Sequence, residues 1–397
     1  MSDMSPFSRL SFSPRQTVGL VFLYYGFLVG LWGGSVAVVT DISSLDPAML
    51  GLAFSGFAIT GMIGMAGCGV LARFFRFKTM ILLLLIALEL SLALLLHAHS
   101  VVSFGIGIAV LGAVVGMLDI TMNSEGMAVE TSMKRPVLAG FHGAASLGVG
   151  FGSLLGGYVS VRFGVWATAL IGLVVCLIAV PIVLRFMPNR TIDRVHGISG
   201  RQFRLSRVLL LMGIVVGASA VGEFTAALFS APFLSAQAPQ FAAYAGAGGS
   251  VFAFCQAIMR FQADGLRRRF GDASIFGTSL LAAGLGYAVL SISPSFTISA
   301  LGFAIVGLGT ACVVPCAFAM AATQSNSPAS SALAALSTVG TALRVPAPWV
   351  FGEIVLRFSY GAAFAACVAM FIFAFGITIL IARLPKTIGS QSGVPVP

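Results

Sequence analysis

The sequence predicts an all-α membrane protein with twelve transmembrane helices arranged as two six-helix bundles. Three observations support this prediction. Hydrophobic residues make up 58% of the 397-residue chain and charged residues only 9%. The hydrophobic residues form about a dozen segments of about 20 residues, the length that a helix needs to cross a bilayer while bonding its own backbone groups. A long polar interval divides these segments into two sets of six.

The positions of the apolar segments give the predicted spans. In the first half the spans cover 17–39, 49–71, 79–97, 101–123, 136–160 and 165–187. In the second half they cover 207–233, 241–263, 273–293, 296–322, 331–355 and 359–383. We therefore expect an N-terminal bundle over residues 1–187, a basic cytoplasmic linker over 188–206, and a C-terminal bundle with a short cytoplasmic tail over 207–397.

Basic residues are concentrated in alternate loops of this arrangement. Arg73, Arg76 and Lys78 lie between the second and third spans, and Lys134 and Arg135 lie between the fourth and fifth. Short loops rich in Lys and Arg stay in the cytoplasm, so we expect both termini on the cytoplasmic side of a bacterial inner membrane. The net charge of +10 then reflects topology beside an anionic leaflet, and nucleic acid is not an expected partner.

The sequence indicates no enzyme, cofactor or metal site. It contains no phosphate-binding Gly-Lys-Ser/Thr loop and no nucleophile elbow. All six cysteines lie in apolar spans, which argues against a disulfide framework. Little polypeptide remains outside the spans, so no soluble catalytic domain is expected.

The turns after the second and eighth spans share a local pattern. The first turn contains Gly69 and Lys78, and the second contains Asp264 followed by Arg268 and Arg269. This pattern resembles the loop signature of the major facilitator superfamily, in which a Gly is followed four residues later by Asp and then by Arg, Gly, Arg and Lys. The first turn departs from it, because an Arg stands at the Asp position. The resemblance implies gating by Lys78, Asp264, Arg268 and Arg269, since an acidic residue at a helix end can pair with bases in one conformation and release them in another.

Two further segments resemble branches of that superfamily. Residues 148–157 are similar to the glycine-rich motif of its antiporters, but we favour a packing role in which Gly148, Gly152 and Gly156 let another helix approach closely. Several residues between 119 and 143 look like the corresponding region of the bacterial YbjJ-type branch, which implies a proton-coupled or facilitated carrier of small solutes.

The superfamily resemblance also implies a mechanism and a site. Two six-helix bundles would rock about a site near the midplane of the membrane, and spans one, four, seven and ten would line the cavity. The resemblance implies that spans two, five, eight and eleven lie beside them, with the remaining four as outer supports. A monomer is expected.

Few ionisable residues lie within the spans, and each is a functional candidate because burial of its charge is costly. Glu223 in span seven is the first proton-carrier candidate. Arg344 in span eleven either holds an anionic group of the substrate, controls protonation of Glu223, or forms a permanent pair with Glu223. Asp119 and His142 form either a proton relay or an intracellular gate.

Polar and aromatic side chains supply the remaining candidates. We expect substrate contacts from Asn123, which shares a helix face with Asp119, and from Gln256 in span eight. Arg260, one turn after Gln256, is expected to reach the cytoplasmic surface by snorkelling. Three aromatic residues of span one could stack on a solute: Tyr24, Tyr25 and Trp32.

These observations predict a secondary active transporter that moves a small polar or amphipathic solute by alternating access. The intramembrane carboxyls are compatible with proton coupling, so the expected partners are a small-molecule substrate, protons and the lipid bilayer. Two alternatives remain open on the same fold: a proton-driven exporter of drugs or metabolites, and a lipid flippase.

Overall fold

A computed structural model of the chain describes residues 12–135, 137–189, 206–324 and 329–383. Within these ranges the chain forms α-helices and a 3-10 helix, and it forms no β-strand. Twelve helical segments of the described chain are long and apolar enough to cross a membrane. The predicted fold class and the number of spans are therefore confirmed.

The described α-helices are numbered in chain order. They are α1 (Pro14–Ile42), α2 (Pro47–Leu71), α3 (Phe77–Leu96), α4 (Val101–Met133), α5 (Leu138–Phe163), α6 (Val165–Phe186), α7 (Arg207–Gln237), α8 (Ala247–Phe270), α9 (Asp272–Ser291), α10 (Phe296–Thr310), α11 (Val313–Gln324), α12 (Ala329–Arg344), α13 (Ala347–Arg357) and α14 (Tyr360–Arg383). The 3-10 helix (Pro239–Tyr244) precedes α8.

Two predicted spans differ from the structure because each is built from two helices. The tenth span consists of α10 and α11, and the eleventh consists of α12 and α13. The break in the eleventh follows Arg344 and coincides with Pro346, which cannot continue the helix ladder. Helix α4 also continues well beyond its predicted end at residue 123. Most of the predicted linker, residues 190–205, lies outside the described part of the chain.

Short polar residues start several of the helices. The hydroxyl of Ser13 accepts a hydrogen bond from the backbone N–H of Gln16, and Pro14 occupies the first turn of α1. Asp46 does the same for α2 by accepting from the N–H of Met49 at 2.7 Å. These caps satisfy N–H groups that have no partner within the helix, and they set where the spans begin.

Helices α1 and α5 pack backbone to backbone through glycine. A Cβ atom added at Gly148, Gly152 or Gly156 would overlap a backbone carbonyl oxygen of α1. Gly30 and Gly34 of α1 face α5 in the same way. The predicted packing of small residues is confirmed. It lets the two helices make close van der Waals contact, which stabilises helix association in lipid, where the hydrophobic effect does not hold helices together.

The first six spans meet the last six mainly through α1 with α7, α2 with α13, and α5 with α8. We call the end of the bundle with the α2–α3, α4–α5 and α8–α9 turns the basic end, and the opposite end the far end. At the far end, a Cβ on Gly51 would overlap the carbonyl oxygen of Pro348, and the N–H of Trp349 donates to Ser55 Oγ at 3.3 Å. The two halves are thus in direct backbone contact at the far end.

Candidate functional site

Arg344 occupies the last position of α12, next to the helix break. Its guanidinium carbon lies 6.0 Å from the centroid of the Phe224 ring on α7. Its Nε atom is buried and has no hydrogen-bond partner, and it forms no salt bridge with any described carboxylate. Asp119 of α4 and Tyr25 of α1 lie within electrostatic range of its guanidinium. Arg344 therefore faces groups from both halves without a direct anionic partner.

Asn123 and Asp119 lie on one face of α4, as predicted. The Asn123 side-chain amide donates to Asp119 Oδ1 at 3.1 Å and to the Asp119 backbone oxygen at 2.8 Å. Both side chains are half-buried, as are Tyr25 and Arg344. We call Tyr25, Asp119, Asn123, Phe224 and Arg344 the Arg344 cluster. It places one cation, one carboxyl, two neutral polar groups and one aromatic ring between the two halves.

A second polar network joins α5, α7 and α8. Arg260 Nη2 lies 3.1 Å from Glu223 Oε2, and Arg260 Nη1 donates to the hydroxyl of Ser146 at 2.7 Å. Ser146 in turn donates to Gln256 Oε1 at 3.1 Å. The Nε2 atom of Gln256 is buried and has no partner among the described residues. We call these four residues, with His142, the Arg260 network.

The Arg260 network corrects two expectations. Arg260 does not snorkel to the surface, because its guanidinium is held between Glu223 and Ser146. Glu223 is paired with Arg260, so the permanent pair of Glu223 with Arg344 is not formed. The spacing of Gln256 and Arg260, four residues apart, placed both on one helix face, but it did not indicate Glu223 as the partner of Arg260. Ser146 carried no such signal and was missed.

His142 belongs to the Arg260 network and not to a pair with Asp119. Its ring packs edge-on against Phe22, with centroids 5.4 Å apart, and the charge that acts on it is that of Arg260. Within the described residues no hydrogen bond joins His142 to Asp119. The described structure therefore contains no contact that would support a direct proton relay between these two residues.

Two of the three aromatic candidates of α1 point away from the Arg344 cluster. The Tyr24 hydroxyl donates to the backbone oxygen of Leu85 in α3 at 3.0 Å. Trp32 is 2% exposed and packs against Phe104. The assignment of Tyr24 and Trp32 to the solute site is thereby corrected, whereas Tyr25 does lie at the cluster. Consecutive residues of a helix point about 100° apart, so only packing decides which of two adjacent tyrosines faces the interface.

At the basic end, Asp264 is paired with Arg267. Arg267 Nη1 lies 3.5 Å from Asp264 Oδ1, and Arg267 Nε lies 2.6 Å from Asp272 Oδ1. Arg268 and Arg269, which the superfamily pattern singled out, are exposed. Lys78 of the first turn is half-buried and forms no salt bridge in the described chain. Arg267 thus links α8 to the start of α9.

Two buried acids lie outside both clusters. Glu89 of α3 turns inward and is 3% exposed. Its carboxyl lies against Gly172 of α6, where a Cβ atom would collide with it. Glu125 of α4 is 1% exposed and was not singled out from the sequence. Glu125 lies two residues after Asn123, so it points away from the Arg344 cluster.

Comparison with known proteins agrees with this architecture. No family model matches the chain. A protein of Yersinia pestis named as an uncharacterised MFS-type transporter is 28% identical over 361 residues, which cover 90% of this chain and 93% of that protein. The transporter y4wD of Sinorhizobium fredii is 27% identical over 387 residues, covering 91% of this chain and 98% of its own length.

Solved structures show the same fold. The nucleoside transporter NupG superposes with a TM-score of 0.75 at 12% identity, covering 94% of this chain and all of NupG. A bacterial homologue of the human lysosomal transporter Spinster gives 0.68 at 16% identity, covering 94% of this chain and 98% of that chain. Because the sequence relatives are named as transporters and the solved neighbours share the twelve-span fold, the chain is a membrane transporter and not an enzyme. Over nearly its whole length the chain is thus similar to transporters of the major facilitator superfamily, and it shares their fold.

Proposed function

We propose that the chain is a secondary active transporter of the bacterial inner membrane, and that Arg344 binds a carboxylate or phosphate group of a small polar or amphipathic solute. The observation that carries this proposal is the buried Nε atom of Arg344, which has no hydrogen-bond partner among the described residues. A guanidinium keeps its charge at physiological pH. In a partly buried position, that charge is stabilised when an anion approaches it.

The groups around Arg344 suit such a solute. The guanidinium offers a planar fork that can bind a carboxylate or phosphate with two parallel hydrogen bonds. The Tyr25 hydroxyl and the Asn123 amide can each donate and accept, and the Phe224 ring supports the cation. These residues come from α1, α4, α7 and α12. A solute bound among them contacts both halves, as alternating access about a central site requires.

Asp119 connects solute binding to a proton. Its carboxylate is within the field of Arg344 but is not in salt-bridge contact with it. An anionic solute must compete with that carboxylate for Arg344, and protonation of Asp119 removes the competition. We therefore assign Asp119 as a proton-binding residue whose occupancy favours an anion at Arg344.

Glu223 is the second proton-binding residue in this proposal. Its carboxylate accepts a hydrogen bond from Arg260 Nη2. Arg260 Nη1 donates to the hydroxyl of Ser146 in the opposite half. Protonation of Glu223 weakens the attraction on Arg260, so the contact between α5 and α8 changes with proton occupancy. His142 beside Arg260 and the free Nε2 donor of Gln256 complete this site.

The access route follows from the charges and the packing. We assign the basic end to the cytoplasm, with both termini there, because loops rich in Lys and Arg stay inside. The far end is in backbone contact across α2 and α13, which supports access of solute to Arg344 from the cytoplasm as part of this proposal. Lys78, Asp264, Arg268 and Arg269 are proposed to act in opening the basic end, with Arg267 as the direct partner of Asp264.

Thermal unfolding of the purified protein tests the assignment of Arg344. Carboxylates, phosphates and their neutral analogues are compared on wild type, Arg344→Gln and the control Arg162→Gln, which changes an exposed arginine at the far end of α5. A bound solute at 100 times its Kd stabilises by about 2.7 kcal/mol. We expect an anionic solute to stabilise wild type and the control but not Arg344→Gln.

Two outcomes contradict the assignment. Equal stabilisation by neutral analogues, or full stabilisation of Arg344→Gln, removes Arg344 from the solute site. If phospholipids stabilise the protein in an Arg344-dependent way and soluble anions do not, the flippase alternative replaces the solute carrier.

Uptake into proteoliposomes tests proton coupling once a solute is identified. An inward proton gradient should drive accumulation by wild type and by the control Glu353→Gln, whose carboxylate pairs with the exposed Arg357 at the far end. Glu223→Gln should exchange solute but not accumulate it. If wild type equilibrates solute without responding to the gradient, the protein is a uniporter and the proton assignments are wrong.

A further inference from the structure

A hydrophobic cavity opens on the side of the first six spans, between α1, α5 and α6. It has a volume of about 300 Å³ and apolar walls that include Leu20, Phe27, Phe151, Ile178 and Ala179. Phe151 and Ile178 are 57% and 58% exposed, so the cavity is open at the surface that faces lipid in a membrane-spanning bundle. It contains no residue of the Arg344 cluster or the Arg260 network.

Small residues create the space. Gly148 of α5 lies directly against the backbone of Leu23 in α1. These two helices therefore pack closely on one side of the cavity. On the other side, α6 presents Ala179 to the cavity. Along α1 the lining extends from Leu20 to Phe27, a distance of about 10 Å at the helical rise. The cavity thus extends over about two turns of α1, in the direction in which lipid acyl chains lie.

A cation lies at the basic end of this cavity. Phe186 follows the cavity residue Ile182 by one helical turn on the same face of α6, and its ring meets that of Phe12 with centroids 5.2 Å apart. The Arg185 guanidinium carbon lies 5.6 Å from the centroid of Phe186. Arg185 is exposed and forms no salt bridge within the described chain.

We propose that this cavity is a binding site for an anionic phospholipid, with one acyl chain between α1, α5 and α6 and the head-group phosphate at Arg185. The apolar walls match the chain and the exposed guanidinium matches the phosphate, which is the charge complementarity found where basic pockets between spans bind anionic head groups. This inference is independent of the solute proposed for Arg344, which lies between the two halves.

Native mass spectrometry of the full chain in detergent tests the chain-binding part. Phosphatidylglycerol and phosphatidylcholine with identical acyl chains are titrated against wild type, Ala179→Phe and Leu177→Phe. Ala179→Phe fills the cavity, whereas Leu177 is 65% exposed and is outside it. We expect Ala179→Phe to weaken phosphatidylglycerol binding at least tenfold, about 1.4 kcal/mol, and Leu177→Phe to match wild type.

The head-group part is tested by charge removal. Arg185→Gln should weaken phosphatidylglycerol about fivefold and phosphatidylcholine less, because the choline cation already offsets the charge of the same phosphate. Arg162→Gln is the matched control, because Arg162 is exposed at the far end of α5. This control should change neither lipid.

The proposal is overturned if wild type binds both lipids equally, or if Ala179→Phe binds phosphatidylglycerol as well as Leu177→Phe does. Should Ala179→Phe not be recovered as monodisperse protein, Ala179→Leu narrows the same cavity. It must then still bind phosphatidylglycerol more weakly than the Leu177 control.

Discussion

The pair formed by Glu223 and Arg260 gives the sharpest quantitative prediction. Replacing either residue by Gln removes a charge from a contact of 3.1 Å between Arg260 Nη2 and Glu223 Oε2. Arg260→Gln also removes the bond of 2.7 Å to the buried hydroxyl of Ser146. The two single variants therefore should not be equivalent, and Arg260→Gln should be the more destabilising.

The magnitude follows from the exposure of the pair. The side chains of Arg260 and Glu223 are 21% and 25% exposed, so the pair is intermediate between a buried and a surface ion pair. Breaking a fully buried pair costs about 3–5 kcal/mol, whereas an exposed pair contributes about 0–1 kcal/mol. We expect Arg260→Gln to cost about 2 kcal/mol and the coupling energy of the pair to be about 1–2 kcal/mol, on the order found for groups in contact.

A double-mutant cycle measured by reversible unfolding in mixed micelles gives that coupling energy. The control cycle uses Glu353 and Arg357, which are in contact at 3.0 Å, but Arg357 is 71% exposed. A coupling of about 0.5 kcal/mol or less is expected for the control. If the Glu223 and Arg260 cycle gives no larger value than the control, the pair does not hold the two residues together and our interpretation of the Arg260 network is refuted.

Further predictions concern helix packing and the basic end. In Gly152→Ala the new methyl group would overlap a carbonyl oxygen of α1, and this variant should lower the free energy of unfolding by about 1–3 kcal/mol. In the control Gly67→Ala the methyl group meets open space, so that variant should be neutral or stabilising. Equal melting temperatures for the two variants would contradict the close packing of α1 and α5. Gly352→Ala overlaps an α2 carbonyl at the far end and should cost a similar amount in the same assay. Arg267→Gln breaks contacts to two carboxylates and should cost about 1–2 kcal/mol, whereas Arg269→Gln should change stability by less than about 0.5 kcal/mol.

The membrane fold could be predicted from local sequence because hydrophobic length is a local property. Each span must bury its backbone groups within its own helix, so twelve apolar segments imply twelve helices without knowledge of their partners. The errors occurred where that rule does not apply. The end of α4 lies beyond the apolar run, and the break at residues 311–312 interrupts a span that remains apolar throughout.

The candidate site was predicted only in part. Asp119 and Asn123 lie together because their spacing on one helix is sufficient to place them on one face. The partner of Glu223 was not predictable in the same way, since Arg260 lies on another helix and its long side chain could equally have reached the surface. The Gly-rich face of α5, in contrast, was recognised because small residues four apart have few other uses in a span.

The sequence by itself determined the number of spans, their apolar extent, the clustering of bases at one end and the glycine seam, because each depends on composition or on spacing within one helix. Only the tertiary structure decided that Tyr25 and not Tyr24 faces Arg344, and that Arg260 joins Glu223 to Ser146. The physical reason is helix rotation. In lipid, a helix is turned by the fit of its small and polar residues against its neighbours, and those neighbours are distant in sequence.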